Sequence, residues 1–375
     1  MILSCLQENL NKGLGIVSRA VAARTTLPVT QNILLATDQS RLKLTATNLE
    51  MAITCWVGAK VEQEGAITVP ARLLTEFVAS LPNDLVTMNL TNRVLELKCG
   101  RFEARLSGIS ADDFPPIPTI GDGTTTKMSL DAIRDGIRHV AFAAASDESR
   151  PVLTGVHCDF EGDKVKMASA DGFRLAVFTA ALAAPVSAKT AVIVPARTLN
   201  ELSRFLSDDE EGVDISIGAQ KSQVLFRLKN IELVSQLLQG TFPNYSALIP
   251  QSYTTRAVTD VAEFLRATKM SAIFARDSSG IVRLVITKGS ELVPGKITVS
   301  ARAEEIGDNV ADIDALVDGD GAKIAFNFRY LTDVLSVLSQ AQSALEITTS
   351  SSPGVIRPIG TDNYVHVVMP MFVQW

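Results

Sequence analysis

Histidine is scarce in this chain, and His139, His157 and His366 share no ligand or relay spacing. That removes the usual histidine-centred metal sites and proton relays, and leaves each as a surface or packing residue. Cysteine is equally sparse: Cys5, Cys55, Cys99 and Cys158 are scattered, with no CxxC pair. Such usage fits neither a zinc site nor a dense disulfide framework, and points to a reducing cytoplasm. No apolar run approaches the ~20 residues that a membrane helix needs. The start, MILSCLQENLNKG, lacks a basic region and a long apolar core, so no signal peptide is expected and the expected location is cytoplasmic. Without export, the glycosylation-like tripeptides at Asn89 and Asn244 carry no meaning.

Cofactor loops are missing too. Gly13-Leu-Gly15 is a near miss of the dinucleotide fingerprint, but it lies in a helical pattern rather than after a strand. GDGTTTKMS (121–129) lacks the Walker spacing and reads as a linker, and DIDALVDGDG (312–321) lacks the calcium-loop pattern and reads as a solvated turn. SDDEEG (207–212) reads as an exposed acidic loop. No nucleophile–base set emerges. The sequence therefore predicts no enzyme, no catalytic residue, no metal and no cofactor. A net charge of −6 argues mildly against nucleic acid.

What the chain does have is repetition. VPARLLTEF (69–77), VPARTLNEL (194–202) and FNFRYLTDV (326–334) are versions of one another. Pro70 and Pro195 sit where proline opens a helix, with Asn327 in the third copy, and apolar residues follow at helical spacing. Arg72, Arg197 and Arg329 recur in register in the first turn. A cation there opposes the helix dipole, so three such placements suggest an anion nearby. Two further landmarks keep the same offsets. TATNLEMAI (45–53) aligns with ASADGFRLAV (168–177) and SARAEE (300–305), and Pro115, Pro243 and Pro370 close each copy. Fixed-period self-similarity of about 125 residues predicts three tandem domains, 1–124, 125–251 and 252–375.

Each domain reads as strands with two helices. Helices are expected over 8–22 and 70–81, over 131–145 and 195–206, and from Asp260 onward, where Glu263 completes a capping-box-like pair. Hairpins are expected to turn at 38–40, Asn92, Gly100 and 161–163, and KGSELVPGK (288–296) lengthens one of them. The fold class is α+β: mostly antiparallel, with few helices and extended sheets. At 46% hydrophobic and 20% charged, the chain can fill cores of this size. The helical windows are net basic inside an acidic chain, with Arg134 and Arg138 on one face opposite Ile133, Ile137 and Val140. Helices gathered on one surface would present phosphate-touching charge without reading bases.

RTTLPVTQNILLAT (24–37), TNLEMAI (47–53), DDFPPIP (112–118), DESRPVLTGV (147–156), ADGFRLAV (170–177), GTFPNYSALIP (240–250) and VVMPM (367–371) occur in that order. With them the chain resembles the bacterial DNA polymerase III β subunit, the sliding-clamp family, over nearly its whole length. The resemblance implies clamp domains of two helices on antiparallel sheets, and two chains closing head to tail into a six-domain ring around duplex DNA. It implies a non-catalytic processivity factor, whose partners are the replicative polymerase's catalytic subunit, a clamp loader, and other polymerases and repair proteins.

Residue by residue, the resemblance carries DNA contact to Arg24 and Arg72, and less directly to Arg150 and Arg197. Pro151 and Val152 stand where some relatives carry aromatics, which weakens any stacking of single-stranded template there. It carries a partner-peptide pocket to Leu153, Ala170, Gly172, Phe173, Arg174, Leu175, Pro243, Leu248, Val367, Met369, Pro370 and Met371, and a dimer interface to Ile273 and Phe274. Flexible Met and Leu suit a site for many linear motifs. The ending Phe372-Val-Gln-Trp375 departs from the family's short basic one. Trp375 would then either cover part of the pocket or add a contact. A monomeric three-domain protein scaffold is the alternative of a different class, separable by dimer mass. An enzyme with an unrecognised site is a third, addressed by turnover.

Overall fold

Three stretches of 7–8 residues, each a strand joined to the next by a tight turn, set the architecture. They are Asn32–Asp38, Arg41–Thr47 and Met51–Gly58 in the first repeat, and Gly155–Glu161, Lys164–Ala170 and Arg174–Ala181 in the second. Buried and more exposed residues alternate over 156–161 and 164–167, as on a half-covered antiparallel sheet, whereas Met51–Cys55 and Leu175–Phe178 are buried throughout. The turns are legible: Gln39 and Ser40 both take positive φ, as do Asn92 and Arg93, and Gly100 and Gly162. Such φ values match the twist of two-residue hairpins.

The computed structural model describes residues 1–276, 278–303 and 307–375. Glu304 and Glu305, the end of the SARAEE landmark, lie outside the described residues. Among the described residues there are six α-helices: α1 Gln7–Val17, α2 Ala71–Ala79, α3 Leu130–Val140, α4 Ala196–Ser203, α5 Val261–Arg276 and α6 Phe328–Val337. None is long and apolar enough to cross a membrane.

The first four helices are shorter than their sequence windows. The α1 helix stops at Val17 and tightens into a 3-10 turn over Ser18–Ala20; α3 does the same over Ala141–Ala143. Pro70 is the residue that caps α2, one position ahead of its expected place, and Asn327 caps α6 by accepting a hydrogen bond from the Arg329 N–H. Leu73 faces solvent, and α2 instead buries Ala71, Leu74 and Val78. Asp260 accepts from the Glu263 N–H, as expected of a first turn. Two segments differ from expectation: Gly123–Met128 is a strand rather than a linker, and the acidic run from Asp312 belongs to the strand Gly307–Gly319 rather than a turn. Gly13 serves packing: a Cβ there would come 2.7 Å from Val57 Cγ2, so glycine lets α1 lie close on its sheet.

The chain forms two compact units that cut across the threefold repeat. One comprises Met1–Ile133, Leu182–Ala188 and Arg197–Leu237; the other comprises Arg134–Ala181, Lys189–Ala196 and Leu238–Trp375. The first unit holds a five-stranded and an eight-stranded sheet, and the second holds a twelve-stranded sheet. The sheets explain the division, because strands of successive repeats pair edge to edge. In the first unit, Met51–Gly58 pairs antiparallel with Ile231–Gln236, Ala52 opposite Val234. In the second, Arg174–Ala181 pairs with Tyr364–Val368, Leu175 opposite Val367. These two seams are counterparts.

Candidate binding pocket and basic helices

The second seam carries an apolar site built from alternate residues of its strands. Leu175 and Val177 on one strand face the same side as Val365 and Val367 on the next, and Val355 lies opposite Val367 on the strand after. With Leu153, Ala168, Ile193 and Phe242 they form one buried cluster, against which Val152, Ala170, Tyr245 and Ile249 pack. Leu153, Leu175 and Val367 are floor and wall. Phe173, Leu248 and Met369 are 55%, 55% and 43% exposed and form an apolar rim. An apolar floor with an exposed apolar rim is what an interaction site leaves uncovered.

The rim is held by a turn whose chemistry begins at Asp171. Its Oδ1 accepts the Phe173 and Arg174 backbone N–H groups at 2.9 and 3.0 Å. Gly172 in between takes φ +93°, and a Cβ on it would sit 3.3 Å from Arg150 Nη1. Arg150 therefore lies against the pocket turn. The Phe173 carbonyl accepts the Met369 N–H, and the Met371 N–H bonds the Ala325 carbonyl, which fixes the segment containing Pro370. Pro243 follows Phe242 in the overlying segment. Phe372 is almost fully exposed, while Trp375 places its ring 5.7 Å from Lys323 Nζ.

Arg174 is already paired within the protein. Its guanidinium donates to Asp171 Oδ2 (3.0 Å), Asp333 Oδ2 of α6 (2.6 Å) and the Phe142 carbonyl (2.7 Å), and it stacks on Tyr330 and Phe142. Nearly buried, it pins the turn to α6. Tyr330 also stacks on Phe173, rings 6.3 Å apart. Sequence reasoning missed Tyr330, Phe242 and Tyr245. The period-2 alternation of YVHVV (364–368) could have added Val365.

His139 and His366 meet through Tyr364 in packing roles, and His157 stacks on Phe242. His139 stacks on Phe178 and meets Tyr364 edge-on at 4.7 Å, and Tyr364 Oη lies 3.2 Å from His366 Nδ1. Burial, helped by the Arg174 charge, pushes His366 down to about 3. Burial also lowers His139 and His157, so all three are neutral near pH 7. Burial raises the thiols of Cys5 and Cys158 to about 12 and Cys55 to about 11, which makes them poor nucleophiles. No group of three metal-ligating side chains occurs among the described residues.

The repeated arginines have different neighbours. Arg72 on α2 pairs with its own Glu76 at 2.8 Å while staying exposed, a pair that contributes little. Glu76 is thus an anion beside Arg72. Arg197 on α4 is exposed and has no ion-pair partner among the described residues, and Arg329 on α6 lies 5.7 Å over Phe328. Arg24 is exposed between two 3-10 turns. Within the first unit, Lys12 on α1, Arg19 and Arg204 line a groove of about 620 Å³, where Glu201 pairs with both arginines. Ile273 on α5 is 61% exposed and Phe274 beside it is half-buried.

Three family models match in succession: the N-terminal domain of the DNA polymerase III beta subunit at residues 1–118, the central domain at 127–244 and the C-terminal domain at 246–372. The chain is 34% identical over 375 residues to the beta sliding clamp of Synechococcus elongatus, covering 99% of each. It is 31% identical to that of Bacillus subtilis, covering 97% of this chain and 98% of the relative. The crystal structure of the DNA polymerase sliding clamp from Bacillus subtilis matches with a TM-score of 0.93 at 29% identity, over the full length of both. That of the DNA polymerase III subunit beta from Pseudomonas aeruginosa matches at 0.91 and 28%, again over both whole chains.

Proposed function

We propose that this chain, which belongs to the DNA polymerase III β-subunit family, is a sliding clamp: a non-catalytic ring protein that encloses duplex DNA and tethers a polymerase to it. The observation that carries the reading is the repeated seam. Two junctions between repeats are made inside the chain by strand pairing. Two further edges occupy the equivalent places: Phe102–Ser107 is one of the two edge strands of the five-stranded sheet, and Gly307–Ala315 has a partner on one side among the described residues. The first is the last strand of its repeat, as Ile231–Gln236 and Tyr364–Val368 are of theirs. The second is the counterpart of Met51–Gly58 and Arg174–Ala181. A third seam between copies would join these unlike edges head to tail, and two chains would close a six-domain ring.

Enclosure suits the task because a ring that made strong base contacts could not slide. Arg24, Arg72 and Arg197 are the proposed phosphate contacts. Arg150, lying against Gly172, is better read as a rim contact of the pocket. That pocket would hold linear apolar motifs of the replicative polymerase, the clamp loader and other replication or repair proteins. Replacing Ile273 and Phe274 with aspartate should halve the mass seen by light scattering; an unchanged dimer would remove them from the interface.

The deciding experiment loads labelled protein onto nicked circular DNA with a cognate clamp loader, then cuts the circle. Retention through a high-salt wash, followed by loss on linearisation, supports enclosure. Retention that fades with salt on both forms would mean ordinary electrostatic binding. No retention on either, with the loader active on a known clamp, would favour the monomeric scaffold.

A further inference from the structure

The first seam repeats the pocket geometry of the second, residue for residue. Asn48 Oδ1 accepts the Glu50 and Met51 N–H groups, as Asp171 does for Phe173 and Arg174, and Leu49 takes φ +76° where Gly172 takes +93°. Thr45 opposes Thr54 where Ala168 opposes Val177, and Ala52 opposes Val234 where Leu175 opposes Val367. Thr54 in turn opposes Glu232 where Val177 opposes Val365. The proline segment from Phe114 to Ile120 overlies this face, as the segment from Phe242 overlies the other. Between segment and sheet lies a groove of about 400 Å³, continued by one of about 130 Å³ along Pro115–Pro118.

The linings differ in chemistry. Where the second pocket is walled by alanine and valine, the first groove carries Thr45, Thr54, Arg227, Glu232 and Lys43. Arg227 is already paired with Glu232 at 2.8 Å. Lys43 lies 5.4 Å over the Trp56 ring and has no carboxylate partner among the described residues. The groove therefore holds one positive charge without a carboxylate partner, beside the Thr45 and Thr54 hydroxyls, which lie 3.2 Å apart in a mutual hydrogen bond, with Leu34, Leu225 and Val234 forming its apolar part. Such a lining complements a chain that offers a carboxylate next to aliphatic side chains.

We propose that this groove is a second peptide site, for an extended acidic segment of a partner protein, with Lys43 as the residue that selects the carboxylate. The analogy rests on reading the second seam as a peptide pocket, but the charge and the cavity stand on their own.

Methyl-labelled full-length protein reports both sites separately: Ile117, Leu225 and Val234 mark the first, Leu175, Val355 and Val367 the second. The probe is acetyl-Asp-Leu-Asp-Leu-Ala-Gly-amide, with its Lys-for-Asp analogue and an octathymidine as controls. The acidic peptide should shift the first set saturably, and Lys43→Glu should weaken that binding at least tenfold. Thr54→Val, a smaller change to the lining, should narrow the preference for the acidic over the lysine peptide. Equal response to both peptides, or no response in the first set, would overturn the proposal, and a stronger shift with the oligonucleotide would replace it with nucleic-acid binding. Failure of any peptide to shift the second set would instead count against the pocket reading, since the two sets are read independently.

Discussion

The seam between Met51–Gly58 and Ile231–Gln236 and the seam between Arg174–Ala181 and Tyr364–Val368 share register, turn and overlying proline segment. One is lined with threonine, lysine and a salt-bridged glutamate, the other with leucine and valine. Because backbone pairing is common to both, the difference shows what the pairing does not determine. Ladder hydrogen bonds fix where a pocket forms; side chains on alternate residues fix what enters it. At roughly 25 cal/mol per Å² of apolar surface, the second site can gain affinity from any greasy motif. The first must trade hydration of its polar lining for specific contacts, so it would bind more weakly and more selectively.

The largest expected effect comes from copying the first seam into the second. Val365→Glu places the counterpart of Glu232 there, but Arg357, which the register brings opposite that position, is already paired with Glu346 at 3.2 Å, so a poorly paired carboxylate in that apolar wall should cost about 3 kcal/mol. Fluorescence polarisation with a polymerase-derived peptide should then show a loss of about 100-fold or greater. Next, Arg174→Ala removes a nearly buried cation from two carboxylates and a carbonyl. Urea unfolding should register about 3 kcal/mol of destabilisation, and Arg174→Lys should recover only part of it, because lysine lacks the fork.

A third test uses acidity. His366 is held well below its unfolded value of about 6.5, so the unfolded chain takes up its proton first and stability falls as pH drops from there towards 3. Between pH 7 and 5 that residue alone should account for about 2 kcal/mol, and His366→Gln should remove that share of the shift in urea midpoint. The first seam has no histidine in its paired strands, so its own opening, followed by hydrogen exchange, should be the less pH-sensitive of the two. The smallest effect concerns the paired turns. Gly172→Ala forces a side chain into positive φ and against Arg150, costing about 1 kcal/mol, whereas Leu49→Gly should relieve a like strain by no more than that. Thermal unfolding of both variants would order them.

Much of this was legible in the chain beforehand, because repeats reveal themselves by spacing. Pro70, Pro195 and Asn327 mark equivalent helix starts, and the turn expected at 38–40 joins the strands Asn32–Asp38 and Arg41–Thr47. Helix ends were less legible, since Ser18–Ala20 and Ala141–Ala143 continue the apolar pattern in a tighter winding. Glycine and threonine hid the strand at Gly123–Met128, and aspartates on its exposed face hid that at Gly307–Gly319. The pocket's rim, Phe173 and Met369, came from resemblance, but Arg174 turned out to be committed to Asp333, a contact 159 residues away in sequence. The guanidinium of Arg150 lies against Gly172, a neighbour that no sequence pattern marked. Pairings at that separation leave no local trace.

Because each repeat is stitched to the next by a ladder of backbone hydrogen bonds, the segments that join them covalently are not their sole tie. A single cut within the run Phe114–Ile120 would leave Met51–Gly58 still zipped to Ile231–Gln236. The order of repeats along the polypeptide is thus less binding than their order along the sheet. A chain re-spliced to begin at its second repeat would keep the sheet contacts it has now, with one seam exchanged between the inside of the molecule and its boundary.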